Sequence, residues 1–164
     1  MATYVNPLDL HRVVPTCIIY RFVQDSSHPE YLVLKRRPDE EPFSGRWEVA
    51  GGGLERKEYE FSPKATVDGW VDVVEKALRK EVTEETALVV GEFVYGGSFA
   101  TIRAHDGIAV IGLRFSASYV SGEVKVSSEA TEARWVTAKN LDPYNLIGSI
   151  ADDIRRLDKK ICRD

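Results

Sequence analysis

The chain has 164 residues, 43% of them apolar, enough for one compact core, and 22 Lys plus Arg against 26 Asp plus Glu leave a formal net charge of −4. That balance argues against a non-specific nucleic-acid binder, which would be strongly basic, and leaves room for a small phosphorylated ligand. Cys17 and Cys162 lie near opposite ends and give neither a paired zinc spacing nor a disulfide framework. No histidine (His11, His28 or His105) is assigned to a metal. The first residues carry no basic segment followed by an apolar stretch, and no apolar run approaches the roughly 20 residues that span a bilayer. A cytoplasmic protein without a membrane partner is expected.

In chain order, residues 13–23 (VVPTCIIYRFV) and 31–36 (YLVLKR) are β-branched or apolar runs separated by the turn-forming DSSHPE, which predicts a hairpin. Residues 46–50 (RWEVA) read as a short strand running into Gly51, Gly52 and Gly53, where the backbone is free to approach a ligand. Over 70–90 the period changes, with Val71, Val74, Leu78, Val82 and Val89 on one helical stripe. Strand-like runs at 92–102 and 107–120 follow, joined through Ala104-His105-Asp106-Gly107, where Asp-Gly suits a tight turn. Residues 133–137 (ARWVT) are a further strand candidate. A C-terminal helix is expected around 145–161, from the spacing of Leu146, Ile150, Ile154, Leu157 and Ile161. With no repeat and no linker, the expectation is a single domain over 1–164 of mixed α/β layers.

Glu81, Glu84 and Glu85 stand at i, i+3 and i+4, on one side of the predicted helix and next to its apolar stripe. Such a run can be a solvated acidic patch. Carboxylates at the edge of a core need a compensating cation, however, and an oxygen-only set suits magnesium or manganese. Lys80 can pair with Glu84, but one lysine cannot neutralise three acids. A strand ending in glycines beside this helix suggests a metal-assisted phosphate site.

These residues, Gly51-Gly52-Gly53-Leu54-Glu55 and then Lys80-Glu81-Val82-Thr83-Glu84-Glu85-Thr86-Ala87-Leu88, resemble the box of the Nudix hydrolases, G-x5-E-x7-R-E-U-x-E-E-x-G-U with U a bulky aliphatic. The stretches LVLKRRPDEEPFSGRWEVAGG before it and EATEARWV after it are similar to the family as well, so the resemblance spans about 13–157. It implies a Nudix-like α/β/α sandwich with a mixed sheet. There are departures. Gly52 and Glu58 satisfy G-x5-E, but the 21 residues 59–79 stand where the pattern has seven, so an insertion falls around 57–69. Counted backwards from Lys80, Asp72 takes the first acidic position instead of Glu58. Lys80 replaces the usual arginine, and Ala87 the usual glycine, which disfavours a left-handed residue there and predicts a local adjustment.

Carried over by position, the resemblance implies divalent-metal ligands Glu81 and Glu85, Glu84 as ligand or water contact, the Gly51 carbonyl, and Glu129 as an auxiliary acid, with Glu132 its rival. Glu81, Glu84 or Glu129 would be the general base. The implied reaction is attack of a metal-activated water on a nucleoside diphosphate linked to another group, such as a nucleoside triphosphate or an ADP-ribose-like compound, with Mg2+ or Mn2+ as cofactor. Lys35, Arg36 and Arg37 are either phosphate contacts, Arg36 and Arg37 foremost, or a solvated basic edge. Tyr59 and Phe61 in the insertion could stack on a base or simply pack, while Phe43, Trp47, Phe93, Tyr95 and Phe99 read as core or interface aromatics. By the same resemblance the insertion and the aromatic strands are candidates for a homodimer interface. Two rival functions remain: a Nudix-fold nucleotide sensor without hydrolysis, and a prenyl diphosphate isomerase relying on Cys17, whose ordinary role is that of a buried structural thiol.

Overall fold

Alternation along the first two strands divides the apolar residues into two cores, one on each face of a mixed eight-stranded sheet, in the computed structural model, which describes residues 10–162. The first apolar runs form β1 (Arg12–Arg21) and β2 (Glu30–Arg36). They are antiparallel neighbours as expected, yet pair only at Tyr20↔Tyr31 and Arg21↔Glu30 before diverging. The RWEVAG segment fills the gap as two short strands rather than one: β3 (Trp47–Glu48) pairs with β2, and β4 (Ala50–Gly51) pairs with β1. This wedge delivers the glycines to the middle of the sheet.

Helix α1 (Val73–Thr86) is shorter than the expected 70–90. Asp72 and Ala87, the residues flanking it, are both left-handed, with φ of 56° and 58°, a conformation that cannot continue a right-handed helix. Beyond Ala87, two β-branched residues turn to strand, β5 (Val89–Val90). Val71 and Val89 accordingly leave the buried stripe, 45% and 54% exposed, which is then made by Ala77, Leu78, Val82 and Thr86. Leu78, wholly buried, contributes about 1.5–3 kcal/mol through transfer alone.

The second expected hairpin is present as β6 (Val94–Ile102) and β7 (Ala109–Ser121), its turn carrying the Arg103–Asp106 ion pair and a left-handed Gly107. β7 also accepts β5 and runs parallel to β1 from Arg12↔Val110 to Tyr20↔Ser118, which makes the sheet mixed. β8 (Ala130–Thr137) begins three residues earlier than expected and lies antiparallel to β2. The last helix, α2 (Ile150–Ile161), starts late because Gly148 is left-handed; Leu146 is buried instead through a bridge to Trp47.

Cys17 and Ile19 of β1, with Leu32 and Leu34 of β2, pack with Leu78 and Val82 of α1. The alternate residues Ile18, Tyr31 and Val33 pack with Ile150 and Ile154 of α2. The result is the expected α/β/α sandwich with a mixed sheet. Between the short 3-10 turn Arg56–Glu58 and α1 the insertion is irregular, anchored by Tyr59 edge-on to Trp70 (5.3 Å) and by the Trp70 indole N–H donating to the Ser62 carbonyl at 2.9 Å. Phe61 is 86% exposed, and Phe43 and Tyr95, expected as core or interface aromatics, are about half exposed. Among the described residues no helix is long and apolar enough to cross a membrane.

Candidate active site

The glycines and the acidic helix edge meet where β4 passes under α1. Gly51, at φ 145°, lies so close to β1 that a methyl group there would come 2.4 Å from the Pro15 carbonyl oxygen. That approach lets the Gly51 N–H donate to Glu85 Oε2 at 2.8 Å. At Gly52 a methyl group would come 3.0 Å from the carboxyl carbon of Glu81, so the bare glycine is what gives Glu81 its place. Glu81 and Glu85 therefore both bear on the glycine turn, one helical turn apart on α1.

Glu129 arrives from the loop before β8. Its path is set by the end of α1, where the backbone N–H groups of Lys125 and Ser127 donate to the carbonyls of Thr86 and Glu85, two of the groups a helix C-terminus leaves without partners. The charge of Glu129 acts on Glu48, Glu81 and Glu85 together, raising the proton affinity of each. Glu132 is elsewhere, paired with Lys35 at 2.8 Å and Arg134 at 3.0 Å. Of the two candidates for the first acidic position, Glu58 comes to Lys80, with Oε1 3.4 Å from its ammonium, while exposed Asp72 sits ahead of the first turn of α1. Lys80 also lies 3.6 Å from Glu84, whose side chain is 58% exposed and stands outside the inner cluster.

Glu48 joins the site without having been singled out in the sequence. It had a signal: in Trp47-Glu48-Val49-Ala50, strand alternation sets Glu48 apart from buried Trp47 and Val49, which pack on the α2 side. Arg36, a candidate phosphate contact, is held between Glu40 and Glu48, each at 3.0 Å. Arg37 is exposed and engages Asp39 at 2.7 Å and the Ser128 carbonyl at 3.2 Å. Both guanidinium groups thus have carboxylate partners, and Lys35 has Glu132.

Burial pushes the Glu85 carboxyl up to about 8; the Gly51 amide opposes this, and the negative charges of Glu48, Glu81 and Glu129 add to it. Glu81 is raised chiefly by burial, against Lys80, with Glu58, Glu84 and Glu129 adding repulsion. Glu48 is raised by burial although Arg36 opposes. Carboxylates crowded beyond what Lys80 and Arg36 can balance form an oxygen-only donor set, which fits a hard divalent cation. Cys17 is completely buried within the α1 core, and desolvation pushes its thiol up to about 12, so it is an inert structural thiol rather than the acid-assisted cysteine an isomerase needs.

Comparison with known proteins agrees with this architecture. The NUDIX domain profile matches residues 11–157. The nucleoside triphosphatase NudI of Escherichia coli is 30% identical over 125 residues, 71% of this chain and 79% of that protein. Among solved structures, the MutT protein of Methanosarcina mazei superposes with a TM-score of 0.66 at 23% identity, covering 92% of this chain and 94% of its own. The NUDIX domain of Shewanella oneidensis NrtR, solved with ADP ribose, gives 0.70 at 12% identity over 95% and 94%. The chain belongs to the Nudix family, as a hydrolase acting on phosphoric anhydride bonds.

Proposed function

We propose that the protein is a divalent-metal-dependent pyrophosphohydrolase that cleaves a nucleoside diphosphate linked to another group, with a nucleoside triphosphate or an ADP-ribose-like compound as substrate. The observation carrying this reading is the half-buried Glu85 carboxylate, fixed by the Gly51 amide in the midst of Glu48, Glu81 and Glu129. In this reading Glu81, Glu85 and Glu129, with the Gly51 carbonyl, hold Mg2+ or Mn2+, and Glu84 contributes from the rim. The ion would supply charge neutralisation on the diphosphate oxygens and a more acidic water. Glu81, Glu84 and Glu129 are the candidates to accept the water's proton. Arg37, exposed and with its backbone N–H on the Glu129 carbonyl, and Arg36, through exchange of its Glu40 partner, are the phosphate contacts.

The NudI likeness supports a nucleoside triphosphate, and the ADP ribose bound by the NrtR domain supports the broader substrate class. A phosphate-release screen at about pH 8 with magnesium or manganese tests the reading on nucleoside triphosphates, dinucleotides, ADP-ribose and nucleotide sugars. Turnover abolished by a chelator is expected; ligand binding without turnover in any metal would instead identify a sensor. A cytoplasmic location and a homodimer belong to the same proposal. Both cysteines are free thiols. Edge strand β6 exposes Val94, Tyr95 and Ile102, side chains a second copy would cover.

A further inference from the structure

Three residues that give no metal signature in the sequence meet on the α2 side of the sheet, across it from the acidic helix. His28, in the β1–β2 connection, Asp158, in the last turn of α2, and Cys162, which caps that helix, each bring one donor atom to within 4.8 Å of the others. Asp158 and Cys162 are four apart and so share one side of the helix end. The thiol donates to Asp158 Oδ1 at 3.5 Å. The same oxygen accepts the Tyr31 hydroxyl at 3.0 Å, and Tyr31 is fully buried, so the carboxylate is held in place from the core. His28 Nδ1 is shielded from solvent and has no hydrogen-bond partner among the described residues, while Nε2 lies 3.3 Å from the Lys139 ammonium. A buried ring nitrogen left without a partner is costly unless something satisfies it.

We propose that His28, Asp158 and Cys162 form a second metal site, selective for a zinc-like transition-metal dication and separate from the carboxylate cluster on α1. A nitrogen, oxygen and sulfur donor set is borderline-soft; zinc accepts it, whereas magnesium takes oxygen. Thiolate and carboxylate together neutralise the dication, and the imidazole binds neutral. Tetrahedral zinc bonds of about 2.0–2.3 Å place donors about 3.3–3.8 Å apart. The Asp158–Cys162 pair already has that spacing, and His28 closes the remainder by a side-chain rotation that displaces exposed Lys139 into solvent. Three protein ligands leave a fourth position for water. The bound ion would fasten the β1–β2 connection to the end of α2, with the Tyr31 hydroxyl orienting the Asp158 ligand from behind, the arrangement that fixes ligands at such centres.

The test is cobalt(II) titration of the full-length, untagged, reduced protein in excess magnesium, read by sulfur-to-cobalt charge-transfer absorption. One equivalent is expected, lost in Cys162→Ser, weakened at least about tenfold in His28→Ala, and retained in Cys17→Ala and in Glu85→Gln. Retention in Glu85→Gln separates this site from the α1 cluster whatever that cluster does. Zinc should also raise the melting temperature of the wild type and of Glu85→Gln but not of Cys162→Ser, whose folding is checked by its own melting transition. Absence of the charge-transfer band, its persistence in Cys162→Ser, or equal zinc stabilisation of that variant would overturn the proposal and leave a hydrogen-bonded helix cap only.

Discussion

Glu85 carries the sharpest consequences at the scale of single residues. Its folded proton affinity, about 8, lies above the ordinary 4.5, so between those values the folded chain holds a proton the unfolded chain has released. Metal-free protein therefore loses stability as pH rises through that window, by up to a few kcal/mol, and levels off above it. Glu48 and Glu81 are shifted in the same direction and add to the slope. In chelator, the melting temperature of the wild type should fall from pH 5 to pH 8 and that of Glu85→Gln should fall less; a flat wild-type profile would contradict the crowding. Gly52→Ala probes the same cluster from the other side, because the new methyl meets Glu81 at 3.0 Å. Turnover should drop at least about tenfold through misplacement of that carboxylate, with a melting temperature within a few degrees of wild type. Glu81 and Glu85 were legible because helix spacing is local. Which of Glu58 and Asp72 comes to Lys80, and that Glu132 turns to Lys35, was not, since an insertion and a strand register set those placements.

Helix α1 shows how an element's ends can escape a periodicity argument. The apolar spacing ran on through Val89, but Ala87 turns left-handed and Val89–Val90 joins the sheet. Ala87 takes the very conformation its methyl group disfavours, so the adjustment expected there did not spare the strain. Ala87→Gly should stabilise the protein by about 1 kcal/mol, which for a chain of this size raises the melting temperature by roughly 2–4 °C. A lower melting temperature would show that the alanine is better accommodated than its φ implies. α2 behaves similarly: a left-handed Gly148 cuts off the first turn that the spacing of Leu146 and Ile150 suggested. Strand runs were easier to read, since β-branched alternation spans whole elements. The division of RWEVAG into β3 and β4 was hidden, because it depends on the splaying of β1 from β2.

At the scale of the molecule, one sheet carries two differently equipped faces. On one, the glycine wedge and α1 concentrate carboxylates; on the other, α2 closes the second core and gathers His28, Asp158 and Cys162. The sandwich was legible because strands, helix, strands and helix follow one another in order, whereas the parallel pairing of β1 with β7 brings together residues about a hundred apart and leaves no local mark. Exposed Val94, Tyr95 and Ile102 on β6 predict self-association, and light scattering at micromolar concentration should give about twice 18.4 kDa; the monomer mass would refute it. The central claim, that the α1 carboxylates serve hydrolysis, is tested most directly by comparing magnesium-dependent phosphate release from wild type and Glu85→Gln on the best nucleotide substrate. The account predicts a loss of about 10²–10³-fold or more in the variant, with its melting transition intact. Equal turnover by a folded Glu85→Gln protein would contradict it.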